Sequence, residues 1–428
     1  MEIEVLKKVI IGQREEIDDL FKRERIIERD IDKEELLKFL KYPNVLIISG
    51  VRRSGKSILA MSLPGKEKYG YINFDDERLS DFKSDDFDRL LQSFYELYGE
   101  ELSFFVFDEI QNIKNWQLFI NRLRRTKKII ITGSNANLLS GELATYLTGR
   151  YIDVTLYPFS FKEFLALKGE IIQKVDEYST IKISRIKNLL KEYLDYGGFP
   201  EVYKFGKRII EKVYEDIINK DILLHYKLRN KSAFKEMSKY LLSNFGAEMS
   251  YSKLKNIFSI KNVHTIKNYV DYLSATYLML IIEKFSYKLK QQFLATKKVY
   301  AIDTGLINFL SFQFSENIGR IMENVVFLEL LRKKEMHDKK TDIYFWKNYQ
   351  GEEIDFILRE GNTVRELIQV SFSLGSFDTK KRELGSLIKA SEELKCHNLT
   401  LITWEESKKE KFMNKIIEII PLWKWLLK

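Results

Sequence analysis

The stretch LIISGVRRSGKSILA, Leu46 to Ala60, constrains this chain more than any other. An apolar run stops at Gly50, a basic loop with a second glycine follows, and apolar spacing resumes after Ser57. The pattern G-x-x-x-x-G-K-S in that setting predicts a strand, a tight loop and a helix. Gly50 and Gly55 let the backbone bend until successive N–H groups face one point, and the helix start adds partial positive charge. Such a cradle suits a phosphate group. Lys56 is placed to reach the outer phosphates of a nucleotide, and Ser57 to offer an oxygen to Mg²⁺. Arg53, Ser54 and Ile58 lie in the same run and complete the expected contacts with ATP or ADP.

A phosphate loop alone does not specify hydrolysis. A second acidic element at the end of a neighbouring strand is needed to hold Mg²⁺ and activate water. SFFVFDEIQ supplies it: Asp108 ends the strand and is placed, with Ser57, for magnesium, and Glu109 beside it is the expected general base. IIITGSNANLL ends in Ser134 and Asn135, polar groups where a γ-phosphate sensor would sit. In LTGRY, Arg150 follows a glycine and is the candidate arginine finger, a cation for the charge that develops on the transferred phosphate, in its own or a neighbouring copy's site.

The apolar runs NVLIIS, YGYINFD, LSFFVFD and KKIIITG, separated by helix-length mixtures, predict a parallel sheet covered on both faces. Two amphipathic helical segments, QREEIDDLFKR and DKEELLKFLK, precede it. From about Pro158 the pattern is mostly helical, interrupted by GGFPEV. Beyond Ser232 come three helical stretches and a two-strand hairpin, then a mixture of helix and strand to the end.

At 428 residues the chain is too long for one core, and with 5 prolines and 45% hydrophobic residues its composition is that of folded domains. One cysteine, Cys396, and four histidines exclude an internal disulfide and any Cys/His metal spacing, which fits a reducing cytoplasm. The longest aliphatic runs are too short to span a bilayer, and no membrane partner is expected. The net charge of +9 is concentrated: Lys227 to Lys298 holds fourteen Lys or Arg against four acids, and the remainder is almost neutral. A basic segment of that kind attracts polyanions, DNA foremost.

Taken together, ISGVRRSGKS, YINFDDERL, FFVFDEIQNIKNW, ITGSNANLLSGELATYLTGRY, LYPFSFKEFL and YGGFPEV resemble the prokaryotic AAA-type ATPases, abundant in archaea, that carry a winged helix and a nuclease-like C-terminal domain. The resemblance covers nearly the whole chain. It implies an α/β, parallel-sheet P-loop ATPase of the additional-strand-catalytic-glutamate (ASCE) kind, a helical lid, and ATP with Mg²⁺ as ligand. It favours Glu109 as catalytic and Arg150 as the finger. The expected domains are a P-loop core at 1–165, a lid at 166–231, a winged helix at 232–310 and a restriction-endonuclease-like α/β domain at 311–428.

In NVHTIKNYVDYLSATYL, Ile266, Val270, Leu273 and Tyr277 follow helical spacing and predict a buried stripe, leaving Lys267, Asn268 and Asp271 outward as on a recognition helix. The hairpin from Lys284 to Lys298 would be a basic wing. The C-terminal part looks like a PD-(D/E)XK nuclease fold, with Glu323 on a helix and Asp355 on a strand. Where such nucleases carry a second acid and a lysine, this chain has Gln369 and Ser371, so the domain is expected to be inactive. Glu323, Glu353 and Asp355 are expected to be solvated acids, with weak metal binding as the alternative. The function expected is Mg-dependent ATP hydrolysis by a switch acting on or near DNA, as monomer or homo-oligomer. The alternatives are a DNA-associated regulator or a defence or mobile-element component that uses ATP structurally, and a metal-dependent nuclease.

Overall fold

The computed structural model describes residues 1–136, 146–147, 149–310, 318–337 and 339–428, in two compact units, Met1–Leu156 and Tyr157–Lys428. Most of the quoted LLSGELATYLT stretch lies outside the described residues.

In the first unit five strands, β1 (Val45–Ser49), β2 (Gly70–Asn73), β3 (Phe104–Asp108), β4 (Lys128–Gly133) and β5 (Tyr151–Thr155), form one sheet in the order β2-β3-β4-β1-β5. Every pairing is parallel. The strands are apolar on both sides because both faces are covered. Val45 and Ile47 of β1 join Phe105, Phe107, Ile129 and Ile131 in one core, with Leu6, Val9 and Ile10 of helix α1 (Ile3–Arg23). Leu46 and Ile48 point the other way, into a second core with Phe104, Val106, Ile130 and Leu36 of helix α2 (Lys33–Phe39). β4 lies between β1 and β3. β5 was not anticipated: YIDVT is a half-exposed edge strand, and Asp153 breaks the apolar run that marks its neighbours.

The second unit begins with helices, among them Phe161–Leu167, Thr180–Tyr196 and Arg208–Asp216. Three further helices, Lys231–Ser243, Tyr251–Ile257 and Val263–Ala275, lead to β7 (Met279–Lys284) and β8 (Lys297–Ala301), with a short β6 (Glu248–Met249) before the second helix of the three. Ile266, Val270, Leu273 and Tyr277 are buried as expected, and Lys267 and Asp271 are exposed. The helix ends at Ala275, so Tyr277 is buried from the turn beyond it, at φ +61°.

The strands β9 (Thr341–Lys347), β10 (Glu353–Glu360), β11 (Thr363–Val370), β12 (Leu399–Thr403), β13 (Lys408–Phe412) and β14 (Lys415–Pro421) complete a nine-stranded sheet ordered β13-β14-β12-β11-β10-β9-β7-β8-β6. β7 pairs with β9 through Glu283 opposite Tyr344, so the hairpin is built into this sheet. Two expectations are corrected here. Lys298, counted in the basic surface segment, is 2% exposed, and Lys297 is ion-paired with Glu283. Glu323 and Asp355 are not solvated: they are 9% and 6% exposed and both face Lys298.

Candidate nucleotide site

β1 delivers the chain into a loop whose shape ordinary residues avoid: φ is +142° at Gly50, +65° at Arg53 and +94° at Gly55. A Cβ on Gly50 would stand 2.2 Å from the Leu156 carbonyl oxygen, so only glycine fits where the loop passes the end of β5. Helix α3 (Lys56–Ser62) opens directly on Lys56, with Ile58 half-buried in its first turn. The Lys56 ammonium curls back over the loop, donating to the Val51 carbonyl at 3.2 Å and lying 3.7 Å from Glu109 Oε1. Ser54 Oγ is buried inside the loop without a hydrogen-bond partner. An orphaned hydroxyl beside an ammonium and a glycine-shaped cradle is what a bound phosphate would complete. These residues fit ATP, and Ser57 with Asp108 fits Mg²⁺.

Asp108 is buried at the end of β3 and held on several sides. Its Oδ2 accepts from the Tyr71 hydroxyl at 2.8 Å, its Oδ1 from the Thr132 hydroxyl, and Ser57 hydrogen-bonds it as well. Burial and the adjacent Glu109 push its carboxyl above the usual range, and the bonds from Ser57, Thr132 and Tyr71 only partly oppose them. A divalent ion would reverse that balance by favouring the carboxylate.

Glu109 occupies the left-handed region at φ +50°. Its N–H donates to Thr132 Oγ1 at 3.1 Å, and its Oε2 accepts from Ser134 Oγ at 3.2 Å and from the Gln111 amide. Burial would raise its pKa, but Lys56, Gln111, Arg52 and Ser134 outweigh burial and hold it below the usual value. Two adjacent acids are thus driven in opposite directions, Glu109 towards the charged form that can accept a proton. Ser134 contacts this acid, and Asn135 follows it, half-buried, at the end of β4.

Arg150 does not join them. Tyr151 pairs with Val45 and Thr155 with Ser49, so Arg150 stands at the start of β5 while the phosphate loop leaves the opposite end of β1. Four strand steps, about 13 Å, separate the two ends. Arg150 instead lines a cleft with Pro43, Asn44, Arg124 and Arg125. Arg124 is 3% exposed, bound to Asn121 and the Pro43 carbonyl, and burial followed by repulsion from Arg150 and Arg125 lowers its pKa.

Sequence reasoning missed Tyr71, Thr132 and Arg29. Thr132 could have been found, being the single polar residue within the apolar core of β4. Arg29 could not: it sits in the charged run RERIIERD, yet its guanidinium is buried and donates to the Ser54 carbonyl at 2.8 Å, bracing the loop from outside.

Comparison with known proteins bears on the same residues. A family model described as "AAA domain" matches residues 42–165, and two described as domains of unknown function, DUF8612 and DUF4143, match 187–317 and 318–425. The uncharacterized protein MJ1544 of Methanocaldococcus jannaschii is 35% identical over 445 residues, covering 99% of this chain and 96% of its own. The chain belongs to its family. This AAA-domain family extends to bacteria, since an uncharacterized protein of Haemophilus influenzae is 32% identical over 422 residues, 94% of this chain and 99% of its own. Among solved structures, the Walker-type ATPase PABY2304 of Pyrococcus abyssi is 15% identical, with a TM-score of 0.41, over 67% of this chain and 97% of its own. The AAA domain spans the loop, Asp108, Glu109, Ser134, Asn135 and Arg150 together. Among the described residues no helix is long and apolar enough to cross a membrane.

Proposed function

We propose that this chain binds ATP with Mg²⁺ and hydrolyses it as a molecular switch. The observation that carries the reading is Glu109, held charged between Lys56 and Ser134 and adjacent to an Asp108 that hydrogen-bonds Ser57. Backbone amides from Gly50 to Ile58, including those of Arg53 and Ser54, cradle the phosphates while Lys56 carries the countercharge. Ser57 and Asp108 hold Mg²⁺, which supplies charge neutralisation on the phosphate oxygens. Glu109 accepts the proton of the attacking water, and Asn135 orients that water or the γ-phosphate. Because Arg150 stands at the far end of its own sheet, its cation serves a neighbouring copy. Wild type is expected to release phosphate from ATP, and Glu109→Gln to bind ATP with a rate at least about a hundredfold lower. Equal rates would reject Glu109 as the base.

A second reading, contact with DNA, is favoured by the basic segment 227–298. The order helix, short strand, two helices and hairpin is that of a winged helix, and Lys253, Lys261, Lys267, Lys288 and Lys290 are exposed along it. Between the strands of the hairpin Tyr287, Leu289, Phe293 and Leu294 are at least two-thirds exposed among these lysines, a mixture suited to phosphates and unstacked bases. Fluorescence anisotropy with labelled DNA should show binding that weakens with salt, and no binding at low salt removes this reading.

A further inference from the structure

The nuclease-like reading of the last third implies a divalent metal, and the residues there do not fit one. Three carboxylates converge: Glu323 from the helix Ile318–His337, and Glu353 and Asp355 from β10. At their centre is Lys298. Its Nζ lies 2.9 Å from Glu323, 2.5 Å from Glu353 and 3.3 Å from Asp355. Its ammonium hydrogen-bonds Glu323 and Asp355 and is ion-paired with Glu353, which also pairs with Lys347 at 3.2 Å. Around this core Tyr300, two residues along β8, donates to Glu323 at 2.6 Å, and the Val370 N–H donates to Asp355 Oδ2 at 2.9 Å. Gln369 accepts the Asp355 N–H at 3.1 Å and donates to Glu383 at 2.8 Å, so the amide is spent on bracing the strand. Phe345 closes the site, its ring centroid 5.6 Å from the lysine nitrogen.

We propose that Lys298 is a resident cation that occupies the place of a divalent ion, so that the Glu323, Glu353 and Asp355 set binds no metal in the native protein. The ammonium neutralises part of the negative charge, takes up the inward-facing oxygens, and ties β8 to β10 and to the helix that carries Glu323. Removing one partner of a buried ion cluster leaves the others uncompensated. Without Lys298 the buried carboxylates of Glu323 and Asp355 face each other beside the half-buried Glu353, whose remaining ion pair is with Lys347, and the same geometry then favours a cation from solution. Among the described residues no group of three or more His, Cys, Asp or Glu side chains is arranged to hold a metal as the protein stands. The inference rests on these contacts and not on the ATPase reading.

Mn²⁺ binding, followed by electron paramagnetic resonance on nucleotide-free full-length chain carrying Asp108→Asn to silence the phosphate loop, tests it. That protein is expected to take up no Mn²⁺, and plasmid DNA is expected to stay intact with Mn²⁺ present. Adding Lys298→Met should lower the melting temperature and create a Mn²⁺ site that raises it again. Lys298→Met with Asp355→Asn, which removes one cation and one anion, should recover stability without metal. Uptake of Mn²⁺ or cleavage of DNA by the chain with Lys298 intact, lost on Asp355→Asn, overturns the proposal. So does a Lys298→Met protein that melts no earlier than its parent, or a double variant no more stable than Lys298→Met alone.

Discussion

Thr132 belongs to no motif, yet it ties the two acids of the site together. Fully buried in β4, it donates to Asp108 and accepts the Glu109 N–H. Thr132→Val keeps the shape and removes both bonds, leaving a buried carboxylate and an N–H short of partners. The expected cost is about 1 to 3 kcal/mol of stability by chemical denaturation, with weaker Mg-dependent ATP binding by calorimetry. Gly50 gives a sharper case. Gly50→Ala forces a methyl group onto the Leu156 carbonyl at a φ that side chains rarely adopt, and nucleotide binding is expected to be lost even where the variant folds. Such residues divide by how they announce themselves. Gly50, Lys56, Ser57 and Asp108 could be read from spacing because the phosphate and metal chemistry proposed for them would fix their order along the chain. Arg29 and Tyr71 act across the fold, and nothing local distinguishes Arg29 from the solvated charges around it.

Elements fared according to how their two faces are buried. β1, β3 and β4 are covered on both sides and stood out as continuous apolar runs, whereas β5 at the edge and the charged β13 did not. The helix Val263–Ala275 was legible because its period shows one buried stripe. The nuclease-like acids were legible as types, but their surroundings were not, because Lys298 reaches them from a strand of another segment. The attachment of α1 shows a further long-range link. Gln13 on α1 donates to Asp76 at 2.8 Å, and Asp76 also accepts a two-pronged bond from Arg78 and the Arg78 N–H. The Arg78 side chain, above all, holds the Asp76 carboxyl well below its ordinary value. A carboxyl with a depressed folded-state pKa stabilises above its unfolded pKa and loses that contribution as pH falls through the folded value. The first unit should therefore lose stability as pH drops below about 4, and Asp76→Asn should flatten that part of the profile. Denaturation at pH 3 and pH 7 measures the difference, and an unchanged slope in the variant refutes this role.

At the scale of the whole molecule the role proposed for Arg150 turns on its position. The parallel register puts it at the wrong end of its own sheet, in a cleft where Arg124 and Arg125 add like charge and where the bonds of Arg124 go only to neutral acceptors. Among the described residues that line this cleft none is a carboxylate, so its guanidiniums suit an anion from elsewhere, and the phosphates in a second copy's loop are the anion that the ATPase reading supplies. The rate per chain should then rise with protein concentration, and Arg150→Ala should lower it by about a thousandfold while ATP binding persists. Mixing separates the alternatives. Glu109→Gln supplies an intact arginine and Arg150→Ala an intact base, so with free exchange about a quarter of the sites in an equal mixture are complete, where each variant alone has none. Phosphate release from the mixture, growing as the two are combined, is the expected result. A mixture as inactive as its components, under conditions where size-exclusion chromatography shows that the copies associate, would mean that Arg150 completes no neighbour's site.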